Sequence, residues 1–247
     1  MTIFNVNGGG GGDGSPTFKE MTSAPYSITA SDWGNYYSSI RNYQFSDDKL
    51  LESIEIPSSV TSIGSNAFQD CTALTDITIP SSVTSIGSNT FQGCTALTDI
   101  TIPSSVTSID SNAFYYCTAL TDITIPSSVT SIGSSAFQGC TALTDITIAS
   151  SVTSIGISAF RNCTAMASVT INNPSSLNIL SYAFRSIATD VTGGCTITLT
   201  GSTPPTIAAN TFQSANIAKI IVPQGSLTAY QTATNWSAYA QYMEEAA

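Results

Sequence analysis

A cysteine recurs every 23 residues through the middle of this chain, at Cys71, Cys94, Cys117, Cys140 and Cys163, and Phe68, Phe91, Phe114, Phe137 and Phe160 keep the same step. Residues 74–96 read LTDITIPSSVTSIGSNTFQGCTA and residues 120–142 read LTDITIPSSVTSIGSSAFQGCTA. A repeat this regular restricts the chain to architectures in which a short unit cannot bury its apolar side alone and must stack on copies of itself.

Each unit has a physical reading. In LTDITIP, Leu74, Ile77 and Ile79 point inward while Asp76 and Thr78 point out, the alternation of a half-buried strand. Pro80 ends the strand because it has no N–H to give to a ladder. Val83 and Ile86 return the chain along a second face. Gly87 is expected to supply a positive φ at the corner, with Gly64, Gly133, Gly156 and Asp110 in the equivalent places. Ser88 is expected to cap a short helical turn that sends Phe91 and Cys94 inward. The chain therefore reads as a β-rich α/β solenoid of 23-residue coils with short helical turns, each coil hiding apolar groups under the next.

The ends need caps. Counting back 23 residues from Ile63, Phe68 and Leu74 lands on Ile40, Phe45 and Leu51, so a degenerate coil covers about 28–50. It puts Trp33 at the Ile56 place, Tyr37 at the Val60 place and Asp48 at the Cys71 place, residues expected of an exposed terminal coil. After Phe160 the step slips to 24 residues, to Phe184, with Asn172, Asn173 and Pro174 marking a bulged loop. A divergent coil follows from Cys195 to about Val222. The tail GSLTAYQTATNWSAYAQYMEEA reads as a helical cap started by Ser226, with Leu227, Tyr230 and Trp236 covering the last coil. Three segments result: a Gly-rich anchor over 1–27, the solenoid with its N-terminal cap coil over 28–187, and the divergent coil with its helical cap over 188–247.

The pattern LxxIxIPxxVxxIGxxAFxxC resembles the BspA-like leucine-rich repeat over about residues 28–222, and IIVPQGSLTAYQTATNWSAYA resembles that family's C-terminal segment. The resemblance implies a right-handed leucine-rich-repeat coil with the LTDITIP strands in its main sheet. It also implies adhesion or recognition at a surface, in bacteria, some protists and their viruses, and it assigns no catalytic residue. The head MTIFNVNGGGGGDGSP lacks a basic region and an apolar region, so it does not read as a secretory signal. Its glycine run resembles the N-termini of some phage structural proteins. The expected function is therefore non-enzymatic binding or structural display as a phage virion component, a fibre, decoration or tail-associated adhesin at the virion surface, or alternatively as a bacterial cell-surface adhesin or a purely architectural spacer.

Chemistry is sparse. The chain has no His, which removes the usual triads, His metal sites and the common proton shuttle. The glycine run is not a phosphate loop, because no G-K-[ST] follows it. Neither a catalytic residue, a metal ligand nor a cofactor is assigned. The five ladder cysteines are expected to be reduced and buried, since side chains about 4.8 Å apart in parallel do not meet disulfide geometry and a straight row does not converge on zinc. Cys195 falls outside the ladder. With 16 acidic against 6 basic residues the net charge is −10, which disfavours nucleic acid and anionic lipid as partners.

The candidate binding face is the row Asp76, Asp99, Asp122 and Asp145 interleaved with Thr78, Thr101, Thr124 and Thr147. Carboxylates about 5 Å apart in water repel by around 1 kcal/mol. A divalent cation or a ligand bearing hydroxyl or ammonium groups would relieve that, and so would plain solvation. The weight falls on solvation, because calcium takes about six or more oxygens. Ser53 and Ser168 replace Asp at the outer coils, which puts the acidic centre in the middle. Expected partners are a protein or glycan on a cell or virion surface, other virion proteins through the N-terminal segment, and further copies of the chain or a larger assembly.

Overall fold

The computed structural model describes residues 25–29, 33, 38–172 and 176–247; residues 1–24 of the Gly-rich segment, Tyr37, Asn173 and Pro174 lie outside them. Every strand pairing is parallel, and the described chain winds into a solenoid of about nine coils. One face carries the longer strands, from Tyr26–Ile28 and Leu51–Glu55 through Asp76–Thr78 to Ile217–Val222 and Met243–Glu245. The second face carries two-residue strands such as Ser62–Ile63 and Ser131–Ile132. In-register pairs, Ser131 with Ser108 and Ile132 with Ile109, show the period directly as stacked identical residues. The first strand, Tyr26–Ile28, crosses the expected boundary at 27/28, and one hydrophobic core runs from Ile28 past residue 187 to Trp236.

That core is columnar. Phe45, Phe68, Phe91, Phe114, Phe137, Phe160, Phe184 and Phe212 stack face to face with ring centroids 5.1–5.5 Å apart and planes within 17°. Rings on identical coils have no other choice, because each occupies the place its neighbour occupies one strand spacing along. Trp33 closes the column edge-on against Phe45, and Trp236 and Tyr239 close it against Phe212. Trp33 is only 1% exposed, contrary to the expectation of an exposed terminal aromatic. It is the lid itself: the last ring of a stack has an uncovered face, and a larger ring covers it. Asp48 is likewise half-buried, not exposed. Its carboxylate accepts the Tyr26 hydroxyl and the N–H groups of Leu50 and Leu51 at 3.0 and 3.1 Å.

The cysteines run as a second column. Each ladder thiol donates to the carbonyl of the phenylalanine one coil back, Cys71 to Phe45 through Cys163 to Phe137, at 2.9–3.2 Å. The same carbonyl accepts a backbone N–H within its own coil, as Phe91 O does from Cys94 N at 3.1 Å. A carbonyl has two lone pairs, and the thiol takes the second. All six cysteines, Cys195 included, are free and buried.

Two expectations about the corner fail together. The segment after each corner is not helical. Asn112, Phe114 and Tyr116 donate their N–H groups to Ser134, Ala136 and Gln138 of the next coil, at 2.7–2.9 Å, while Tyr115 and Cys117 bond three residues back. A helix would keep every N–H within the coil; stacking claims alternate ones, so consecutive turns form and Ser88 has no helix to cap. Positive φ then falls inside these turns, at Asn89 (56°) and Gly93 (71°) or Asn112 and Tyr116 (both 57°), and not at Gly64, Gly87, Gly133, Gly156 or Asp110.

The corner glycines answer a different need. A Cβ on Gly133 would lie 2.5 Å from the Asp110 carbonyl carbon and the Ser111 nitrogen, and one on Gly156 would meet Gly133 and Ser134 at the same distance. Glycine lets one coil's backbone touch the next. At Gly87 the nearest atom is 3.4 Å away, and there the short-strand sheet is interrupted between Ser62–Ile63 and Ser85–Ile86. Gly133→Ala is therefore expected to cost about 1–3 kcal/mol by forcing two coils apart. Gly87→Ala should be neutral, or stabilise by about 0.4–1 kcal/mol through the unfolded chain. Urea midpoints of the two variants decide it; equal shifts would refute the close-approach explanation.

At the C-terminal end, helix Leu227–Thr232 begins at Ser226, but the Ser226 hydroxyl turns back to Pro223 O and caps nothing. Glu245 supplies the acceptor instead, receiving the N–H groups of Gly225 and Leu227 at 2.9 and 3.3 Å. Tyr230 and Trp236 are fully buried and anchored to Gly201 O and Pro205 O at 2.7 and 2.8 Å. A negative side chain suits a helix start better than a hydroxyl does, for electrostatic reasons.

Candidate functional site: the acidic sheet face

The long-strand face is built by alternation. Within each Asp-Ile-Thr strand the Ile enters the core and its neighbours stay exposed, so Asp76, Thr78, Asp99, Thr101, Asp122, Thr124, Asp145 and Thr147 all face solvent. The sheet brings the two rows together as predicted: Asp99 pairs with Asp122 and Thr101 with Thr124 in parallel register. The flanks pair Asp76 with Ser53 and Asp145 with Ser168.

Register also extends the face beyond the residues singled out from the sequence. Glu55 stands beside Thr78, so acidity reaches the first long coil and is not confined to the middle. The signal was available, since residues 53 and 55 stand 23 residues before 76 and 78. At the opposite end Thr196 pairs with Lys219, whose ammonium meets Glu244 at 3.0 Å. The face thus grades from carboxylates to a neutral stretch and an exposed ion pair.

The main-chain ladder of this sheet is interrupted at two places only among the described residues, between Asp76–Thr78 and Asp99–Thr101 and between Asp122–Thr124 and Asp145–Ile148. Both are steps where one Asp follows another, whereas every step with Ser, Thr or Lys on one side stays bonded. Repulsion between like charges at strand spacing is of the magnitude of a net backbone hydrogen bond, about 1 kcal/mol, enough to weaken pairing but not to unstack the coils. The step between Asp99 and Asp122 remains paired, and charge alone does not explain that. At the second interruption a shallow crevice of about 210 Å³ opens, lined by Asp122, Thr124, Asp145 and Thr147 with Ile123, Ile125 and Ile146 at its floor. Thr144 Oγ1 donates to an Asp145 carboxylate oxygen at 2.9 Å beside it.

Chemically, the face offers carboxylate acceptors alternating with hydroxyls that donate or accept. Among the described residues no three His, Cys, Asp or Glu side chains converge as a metal would require. The thiols are held away from chemistry as well. Burial pushes Cys71, Cys140 and Cys195 up to about 12, and it raises Cys94, Cys117 and Cys163 well above the ordinary thiol value. A thiolate is the reactive form, and burial disfavours it. No helix among the described residues is long and apolar enough to cross a membrane.

The sequence profile of the BspA type leucine rich repeat region matches in six copies, over residues 38–167 and 107–237. No match was found among curated protein sequences. Three solved structures are similar. A leucine-rich repeat protein of T. pallidum is 25% identical, over 66% of this chain and 76% of its own, with a TM-score of 0.59. One from Bacteroides ovatus is 25% identical, over 80% of this chain and 63% of its own, also with a TM-score of 0.59. A leucine rich cell surface protein from Faecalibacterium prausnitzii is 27% identical, over 86% of this chain and 73% of its own, with a TM-score of 0.52.

Proposed function

Because the chain belongs to the BspA-type leucine-rich repeat family, we propose that it is a non-enzymatic recognition protein displayed on a cell surface. The observation that carries the proposal is how each coil divides its residues. Its apolar side chains enter one continuous core, and its Asp and Thr rows are all delivered to one outer face. A chain organised in this way acts through what it presents. The similarity to the F. prausnitzii cell surface protein supports the location.

The acidic face fits a partner surface carrying ammonium or guanidinium groups, with threonine hydroxyls and the Asp122–Asp145 crevice giving local fit. Long-range attraction raises association rates and weakens with salt. A second reading, a virion component, is favoured by the glycine run at residues 8–12, which suits threading into an assembly.

The test is titration of the labelled full chain onto epithelial cells, alongside a variant with Asp76, Asp99, Asp122 and Asp145 each replaced by Asn. Saturable binding that the unlabelled chain competes away, falling at least tenfold in the Asn variant and with added salt, is expected. Absence of saturable binding up to about 10 μM would overturn the proposal. An antibody against the chain separates the two locations, marking intact cells in one case and purified particles in the other.

A further inference from the structure

The acidic strands and the SSVTSI segment are repeated without change at residues 74–86, 97–109 and 120–132, so they distinguish no coil from another. Differences among these three coils fall entirely in the turn segment: Gly87, Asp110 and Gly133; Asn89, Asn112 and Ser135; Thr90, Ala113 and Ala136; Gln92, Tyr115 and Gln138; Gly93, Tyr116 and Gly139. The largest departure is the pair Tyr115–Tyr116, placed where both neighbouring coils carry Gln-Gly.

Tyr116 is 44% exposed, and its ring meets the Tyr115 ring edge-on with centroids 4.6 Å apart. The Tyr116 ring lies over Gly139, whose missing side chain makes room for it, since a Cβ there would come within 3.3 Å of the ring. On the preceding coil the same place is Gly93, and the Asp70 carboxylate lies over it, since a Cβ there would overlap its Oδ1. Flanking Tyr115 in its own column are Gln92 and Gln138. The patch is thus an aromatic platform braced on Gly139 and edged by the Gln92 and Gln138 amides, with the Asp70 carboxylate over Gly93 at its margin.

We infer that this turn edge is a second binding site, specific for a neutral glycan. A tyrosine ring presents a negative face to the weakly positive C–H groups of a pyranose and contributes contact area at little entropic loss. Gln amides carry both donors and acceptors, which match sugar hydroxyls. The Asp70 carboxylate accepts hydrogen bonds from sugar hydroxyls and repels acidic glycans, and the acidic sheet face lies on a different side of the coil. The inference rests on the surface-recognition reading above and adds a ligand class and a location to it.

The experiment uses the full chain on an array of neutral and charged glycans, against a variant carrying Tyr115→Gln and Tyr116→Gly. That variant gives the third coil the Gln-Gly of its neighbours, so it is expected to fold, with an unchanged melting temperature as the check. The wild type should bind a subset of neutral glycans, the variant at least tenfold more weakly, and the Asn variant of the sheet face as well as wild type. An empty array, a preference for charged glycans, or equal binding by the Tyr variant overturns the inference. If the array is empty while cell binding persists, only the glycan site fails and the recognition reading stands.

Discussion

Raising the pH from 8 to about 10.5 is expected to destabilise this protein strongly, and the cause is the buried cysteines. A thiol ordinarily ionises near 9, and burial holds Cys71, Cys140 and Cys195 up to about 12, with Cys94, Cys117 and Cys163 raised as well. The folded pKa lies above the unfolded one, so the folded state keeps protons that the unfolded chain releases. Their stabilisation is fully present below about pH 9 and is lost as pH climbs from there toward 12. Cys71, Cys140 and Cys195 each lose roughly 1.4 kcal/mol per pH unit within that window, about 4 kcal/mol per unit together, with further loss of the same sign from Cys94, Cys117 and Cys163, against a whole-domain stability of about 5–15 kcal/mol. Tyr26 and Tyr239, also raised by burial, add loss of the same sign at higher pH. Urea unfolding at pH 8, 9.5 and 10.5 measures the slope. A midpoint that stays flat from 9 to 10.5 would show that the thiols are not held neutral by the fold. Added salt separates this from general repulsion on a chain of net charge −10, since screening relieves surface repulsion and leaves buried thiols as they are.

Phe114→Ala is expected to destabilise the protein by about 3–5 kcal/mol and to change the shape of its unfolding curve. Phe114 is fully buried, with Phe91 5.3 Å away on one side and Phe137 5.2 Å away on the other. Alanine removes both ring contacts and leaves a void between the Phe91 and Phe137 rings, whose coils are pinned by inter-coil hydrogen bonds and cannot close on it. Coupling in a solenoid passes only between neighbours. A break at mid-column therefore weakens cooperation between the halves, and denaturation followed by circular dichroism should broaden or split. Phe212→Ala, beside the C-terminal cap, should lower the midpoint without splitting the curve. A single sharp transition within about 1 kcal/mol of wild type for Phe114→Ala would contradict a continuous load-sharing column.

The acidic face was readable because period-2 alternation within LTDITIP and the 23-residue repeat together place each Asp beside the next, with no tertiary information beyond stacking. Glu55 follows from the same alternation but not from the recurring Asp, because it takes the place that Thr78 holds in the next coil. The tyrosine edge follows from neither. Tyr115 and Tyr116 break the repeat, and only a chain already known to stack turns a break in pattern into an exposed place on a surface.

By itself the sequence determined the period, the inward set of Leu, Ile, Val, Phe and Cys, the outward rows, and the stacking of like on like, since identical coils bury identical side chains only in register. Tertiary structure alone decided the corners and the ends. Whether the post-corner segment coils into a helix or a run of turns depends on who accepts its N–H groups, and the accepting carbonyls belong to the next coil. The corner glycines serve contact between coils and not a local φ, and a single unit carries no sign of that. The lids depend equally on partners distant in sequence: Trp33 on Phe45, and the start of the last helix on Glu245 eighteen residues beyond Leu227.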